Sequence, residues 1–132
     1  MRIILGLGCD RDTPLATVRI AVARALSIVG IDETAVAGVA TIDKKNDEPA
    51  ILQLAADNGW LLHFLTAEQL ARVAVPNPSE VVRKYMGTPA VSEAAALLAA
   101  GADMTGLLLE KYKYRGEDGK NATVSIARMI ED

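Results

Sequence analysis

The chain has 132 residues and is poor in the side chains on which several chemistries depend, with one cysteine, one histidine and an aromatic content of only 4%. A single cysteine, Cys9, excludes an intrachain disulfide and agrees with a reducing compartment. One imidazole, His63, and one thiol at unrelated places cannot supply the three or four ligands of a zinc site, so no metal is expected. No run of eighteen apolar residues is available to span a bilayer, and Ile3 to Leu7 is too short for the core of a secretion signal. A soluble cytoplasmic protein with no membrane partner is expected. Basic excess is missing as well: the net charge is −3 and the pI about 5.2. Nucleic-acid binders usually carry a basic balance, or a dense basic face with aromatics for stacking, so nucleic acid is not an expected partner.

What remains is a chain that is 51% hydrophobic. At this length it can bury roughly two-thirds of its unfolded surface as a single domain, residues 1–132, without a metal or disulfide staple. Repeats, low-complexity tracts and long linkers are absent. The apolar run Arg2 to Leu7 predicts a strand covered on both faces. Thr13 as N-cap and Pro14 at the first helical position predict a helix through Leu15, Val18, Val22, Leu26 and Val29, stopped by Gly30. A second strand is expected over Val36 to Ile42, a helix from about Glu48 to Asn58, and a third strand over Trp60 to Leu65. Thr66 should cap a short helix through Leu70 and Val73. Beyond it, Pro76-Asn77-Pro78 breaks the chain, Ser79 opens a helix to about Met86, and Gly87-Thr88-Pro89 precedes the alanine-rich helix Val91 to Ala100. Thr105 to Tyr114 and Ala122 to Met129 are β-prone and should form a terminal antiparallel hairpin. The alternation predicts a three-layer α/β/α fold around a mixed, mostly parallel sheet of about five strands.

Gly6-x-Gly8 followed by a helix invites comparison with a phosphate-binding turn. The third glycine of the dinucleotide fingerprint is replaced by Arg11, however, and the P-loop lysine is missing, so no nucleotide or other cofactor is expected. Cys9 lies where the first strand ends, a usual place for function in an open α/β sheet, but a lone cysteine is as readily a small buried hydrophobe. Arg11, Lys44 and Lys45 should lie together at the carboxyl edge of the sheet. Singly they read as solvated loop cations; together, beside helix N-termini, they favour an anionic ligand. Asp47, Glu48 and Glu93 all have a simpler reading as carboxylates in a first helical turn. In the hairpin, simple alternation puts Leu107, Leu109, Lys111 and Lys113 on one face and Leu108, Glu110, Tyr112 and Tyr114 on the other. Lys111 and Lys113 would also suit an edge strand guarded against aggregation.

In order along the chain stand Gly6-x-Gly8-Cys9-x-Arg11, Thr41-Ile42-Asp43-x-Lys45 with Glu48 beyond, and Pro76-Asn77-Pro78-Ser79. They are followed by Gly87 with Val91-Ser92-Glu93-Ala94-Ala95-Ala96-Leu97, Glu110-Lys111, and Thr123-Val124-Ser125-Ile126-Ala127-Arg128. Together these segments resemble the CobE family, which is also the family of the C-terminal domain of CbiG, the cobalt-precorrin hydrolase of cobalamin biosynthesis. Asp12 departs from the family pattern, which often has glycine after the arginine. The resemblance implies action on a precorrin or corrinoid intermediate, with other enzymes of the cobalamin pathway as further partners. The two-domain hydrolase opens a ring-A lactone and releases acetaldehyde; this chain matches only its C-terminal part. A macrocycle with acetate and propionate arms would lie over the loops after the first two strands. Gly8, Cys9, Arg11, Asp43, Lys44, Lys45 and Ser92 are then the expected ligand-binding residues, and Glu93 and Lys111 the acid/base candidates. Three functions stay open: a non-catalytic binder or carrier, a lactone hydrolase, and a small-molecule-binding domain unrelated to corrinoids.

Overall fold

A computed structural model describes residues 1–73 and 89–130. The first strand, β1 (Ile3–Cys9), leads into α1 (Leu15–Val29), β2 (Val36–Ile42), α2 (Pro49–Asn58), β3 (Leu61–Leu65) and the short α3 (Ala67–Ala71). The alanine-rich helix is α4 (Pro89–Ala100), followed by the hairpin strands β4 (Leu107–Arg115) and β5 (Asn121–Arg128). The five strands form one sheet in the order β3-β2-β1-β5-β4. β1, β2 and β3 run parallel, whereas β5 is antiparallel to β1 and to β4. The expected mixed three-layer fold is therefore present. No helix among the described residues is long and apolar enough to cross a membrane. The expected break at Pro76-Asn77-Pro78, the helix from Ser79 to Met86 and Gly87 lie outside the described residues.

Side-chain alternation divides the core between two faces. Ile3, Leu5 and Leu7 of β1 join Val18, Val22, Ile51 and Leu54 under α1 and α2. Ile4 of the same strand joins Ala40, Ile42 and Leu70 with the buried alanines of α4. β1 is thus covered on both faces, as its unbroken apolar run requires. α1 and α2 end where sequence predicts, whereas α3 stops at Ala71, short of the expected Val73. Gly30 and Gly59 take left-handed caps with φ of 68°, and Thr66 forms a reciprocal capping box with Gln69.

Three expectations are corrected. Pro14, not Thr13, occupies the N-cap of α1. The Thr13 hydroxyl instead donates to the Asp10 carbonyl at 2.6 Å, closing the loop before the helix. Gly6 and Gly8 do not form a turn: both lie within β1, paired with Ser125 and Thr123 of β5. Their spacing is the period of a strand, and it leaves the α4 side of β1 almost bare. A Cβ on Gly6 would stand 1.9 Å from the Ser92 carbonyl oxygen and 2.9 Å from the Ala96 Cβ, so the glycine is the seat of α4.

The third correction concerns the hairpin. Register shifts fall between Leu107 and Leu109 and between Leu109 and Tyr112, so simple alternation fails. Leu109, Tyr112 and Tyr114 all pack towards α1, where Arg24 stands 4.9 Å from the Tyr114 ring centroid. Leu107 packs on the opposite face. Each extra residue in a strand turns the following side chains over.

Candidate functional site

The loops leaving β1 and β2 meet at the carboxyl edge of the parallel strands, as expected. Arg11 reaches across to the second loop, with Nη1 donating to Asp47 Oδ1 at 2.8 Å and lying 3.2 Å from Glu48 Oε1. Its Nη2 donates to the Lys44 carbonyl at 3.3 Å. Glu48 is completely buried. Its Oε2 accepts the Asp12 N–H at 2.9 Å, and Lys45 Nζ lies 3.9 Å from its Oε1. One carboxylate therefore fastens both loops. Asp12 sits in the left-handed region at φ 63°, a conformation that glycine adopts without strain and that aspartate tolerates.

Glu48 occupies the N-cap position of α2, but its side chain makes no capping hydrogen bond; contrary to their simplest reading, the carboxylates of Asp47 and Glu48 both face Arg11. The Arg11 guanidinium hydrogen bond holds the Asp47 carboxyl below the usual carboxylate range. Asp43 and Lys44 lie beside Lys45 in a single 3-10 turn, Asp43–Lys45. The edge is not simply cationic, since Asp10, Asp12, Asp43, Asp47 and Glu48 occupy the same loops as Arg11, Lys44 and Lys45. Gly8 and Cys9 are at the strand end rather than in a turn, paired with Thr123 and Ala122. Burial pushes the Cys9 thiol up, against the opposing influence of the Lys45 charge. His63 is not its partner: the imidazole lies over Gly38 of β2, with Nε2 3.2 Å from the place of a Gly38 Cβ.

The second group lies on the α4 face. α4 begins at Pro89, so Glu93 stands in its second turn rather than its first, and the dipole-pairing reading falls away. Glu93 is 2% exposed. Among the described residues nothing donates a hydrogen bond to its Oε2. Its carboxyl is pushed up to about 7, chiefly by burial; Lys111 pulls it down and Glu110 pushes it further up. Lys111 is thus close enough for its charge to be felt. Ser92, next to Glu93, contacts the Ser125 hydroxyl at 2.8 Å, and Ser125 donates to the Glu110 carbonyl at 2.5 Å.

The expected residues therefore fall into two groups. Cys9, Arg11, Asp43, Lys44 and Lys45 gather at the rim, whereas Ser92, Glu93 and Lys111 gather around the bulge in β4. Gly6, beneath Ser92, is three residues back from Cys9, about 10 Å along the strand. A shallow cleft of about 370 Å³ lies beside the rim, lined by Asp12, Thr13, Pro14, Glu48 and Gln53. A larger one of about 550 Å³ lies at the opposite edge, around Met1, Gly106 and Arg128, away from both groups. Sequence reasoning missed Glu48 as the loop fastener and noted Ser125 only as part of the segment Thr123 to Arg128, without a role. The signal for Ser125 is a small hydroxyl residue in the otherwise apolar run from Val124 to Ala127.

The family model described as cobalamin synthesis G C-terminus matches residues 3–127. The chain is 31% identical over 128 residues to the cobalt-precorrin-5A hydrolase of Priestia megaterium, covering 97% of this chain and 32% of that protein. It is 38% identical over 111 residues to protein CobE of a Sinorhizobium species, covering 83% of this chain and 71% of that protein. It thus spans about a third of the length of the hydrolase. Among solved structures, CobE from the cobalamin biosynthetic pathway superposes with a TM-score of 0.73 at 30% identity, covering 99% of this chain and 92% of that one. The cobalamin biosynthesis protein chiG of Agrobacterium tumefaciens gives a TM-score of 0.67 at 30% identity, covering 98% and 99%. The chain belongs to the cobalamin synthesis G C-terminal family and is a cobalamin biosynthesis protein of the CobE and CbiG C-terminal type.

Proposed function

We propose that this domain binds a polycarboxylate precorrin or corrinoid intermediate at the carboxyl edge of its sheet, as a binder or carrier. The observation that carries the reading is the double pairing of Arg11. Buried Glu48 fixes the guanidinium from within, while its other partner, Asp47, has a side chain that is 72% exposed. An exposed ion pair contributes only about 0–1 kcal/mol, so an incoming carboxylate can take the place of Asp47 on a guanidinium already in position. Lys44 and Lys45 would receive further arms. The five carboxylates in the same loops would restrict this attraction to particular arms rather than spread it over the whole edge.

Glu93 favours a second reading, hydrolysis of a ring-A lactone. A carboxyl with a pKa of about 7 is partly protonated at neutral pH and suited to both taking and giving a proton. Water would add across the acyl–oxygen bond, with Glu93 accepting a proton from the water and Lys111 facing the negative charge that develops. The relatives bearing the hydrolase name are about three times the length of this chain, and no activated nucleophile accompanies Glu93 among the described residues. Binding is therefore the first reading.

Purified protein mixed with a series of precorrin and corrin intermediates, followed by absorption spectroscopy and mass spectrometry, separates the two. Stoichiometric band shifts without a new product support the carrier, and turnover supports the hydrolase. No response to any intermediate sinks both. Arg11→Glu should weaken binding at least about tenfold, the loss of one charge-assisted pair; unchanged affinity removes the rim from the site.

A further inference from the structure

Two residues of β4, Glu110 and Lys111, stand opposite one residue of β5, Ser125. The neighbouring pairs define the bulge: Leu109 faces Ile126 and Tyr112 faces Val124. Leu109 and Tyr112 both pack towards α1 although they are three apart. The two residues between them therefore turn together to the α4 side, which is why both charges act on Glu93. An unbulged strand would place Lys111 on the α1 face, with the sheet between it and Glu93.

Something must hold the bulge, because its extra residue is left out of the ladder. Ser125 does so. Its hydroxyl donates to the Glu110 carbonyl at 2.5 Å. A serine has one proton to give, so in the 2.8 Å contact between Ser92 and Ser125 the donor is Ser92. The chain of donation runs from α4 through β5 to β4. It is closed at its other end by Gly6, where the absent side chain lets the Ser92 backbone rest on β1. Ser92 and Ser125 are both completely buried, so loss of the Ser125 hydroxyl would take one hydrogen bond from each of its two partners, the Ser92 hydroxyl and the Glu110 carbonyl.

We propose that Ser125 is a positioning residue for the Glu93 and Lys111 pair, its hydroxyl pinning the β4 bulge that turns Lys111 to the α4 face. The inference rests on reading Glu93 and Lys111 as one functional unit, and its test needs no ligand. In the full chain with carbon-13 in the glutamate carboxyls, the Glu93 signal is identified by its loss in Glu93→Gln and titrated by NMR. Lys111→Met should raise the Glu93 midpoint by about half a pH unit or more, as expected for a charge felt across partly hydrated surface. Ser125→Ala should reproduce most of that rise, and combining it with Lys111→Met should add little.

A Ser125→Ala midpoint that stays at the wild-type value or falls, while Lys111→Met raises it, overturns the positioning role and leaves the pair standing. Full addition of the two effects overturns it as well. If Lys111→Met itself moves nothing, the pair fails and the proposal fails with it. A purely structural serine would lower the unfolding midpoint without moving the Glu93 titration. Should Ser125→Ala not fold, Ser92→Ala decides, since it removes the donor to Ser125 and leaves β5 unaltered. A smaller rise supports the proposal and no rise overturns it.

Discussion

Glu93 makes stability depend on pH in a direction opposite to that of most carboxylates. Its carboxyl rises from an ordinary 4.5 to about 7 in the folded protein. Between those values the folded state binds more protons than the unfolded state, so stability falls as pH rises. The contribution is fully present below about 4.5 and lost as pH passes 7. At about 1.4 kcal/mol per pH unit, the displacement is worth about 3 kcal/mol in full, of which about 2 kcal/mol falls between about pH 5.5 and pH 8.5. Glu93→Gln keeps the shape and cannot ionise. Urea unfolding of both proteins, followed by circular dichroism across that range, isolates this one group, because every other titration is shared and cancels. The variant should gain on the wild type by about 2 kcal/mol from the acid to the alkaline end. A difference that stays flat with pH, or narrows towards pH 8.5, refutes the reasoning.

Other outcomes follow from the packing. Gly6→Ala places a Cβ 1.9 Å from a backbone oxygen that no side-chain rotation can move, so unfolding free energy should drop by at least about 2 kcal/mol; a smaller loss in urea melts would mean that α4 lifts freely. Glu48→Gln leaves Arg11 and the half-buried Lys45 without their shared buried countercharge, which should cost about 2 kcal/mol in the same assay. An unchanged melt would separate the loops from Glu48. Burial of the Cys9 thiol predicts reaction with a disulfide reagent at pH 7 at least about tenfold slower in native protein than in urea; equal rates would place the thiol in the open.

Much of the fold was legible because its signals are local. Leu15, Val18, Val22 and Leu26 repeat at the helical period, and Gly30, Gly59 and the Thr66 to Gln69 box mark helix ends within a few residues. The errors share a different cause. Gly6-x-Gly8 has the same two-residue spacing in a turn motif and on one face of a strand, and only the arrival of α4 some ninety residues later distinguishes them. The hairpin faces were misassigned because a bulge inserts one residue without changing composition. Glu48 read as a capping carboxylate because its real partner, the Asp12 N–H, is 36 residues away. Contacts of that range leave no periodic trace in the chain.

The Gly6 correction also moves the chemistry. Read as a turn, the glycines would have offered backbone N–H groups to an anion at the loop; read as a bare strip of β1, they admit α4 and bring Ser92 and Glu93 over the sheet. On the proposed reading, anion recognition would rest on Arg11 and the lysines of the next loop, where Glu48 fastens Arg11 and the Asp12 N–H. Any proton chemistry would rest on Glu93, on the helix that Gly6 seats, with the β4 bulge proposed to be tied by Ser125. The hydrogen bonds and ion pairs of Arg11 run to Asp47, Glu48 and the Lys44 carbonyl, and those of Ser125 to Ser92 and the Glu110 carbonyl. Substitutions at Gly6, Ser92 or Ser125 should therefore disturb Glu93 while sparing the Arg11 pairing, and substitutions at Glu48 or Asp47 should do the reverse. A ligand that needs both groups must bridge the edge of the sheet, which favours a large molecule with several arms over a small one with a single carboxylate.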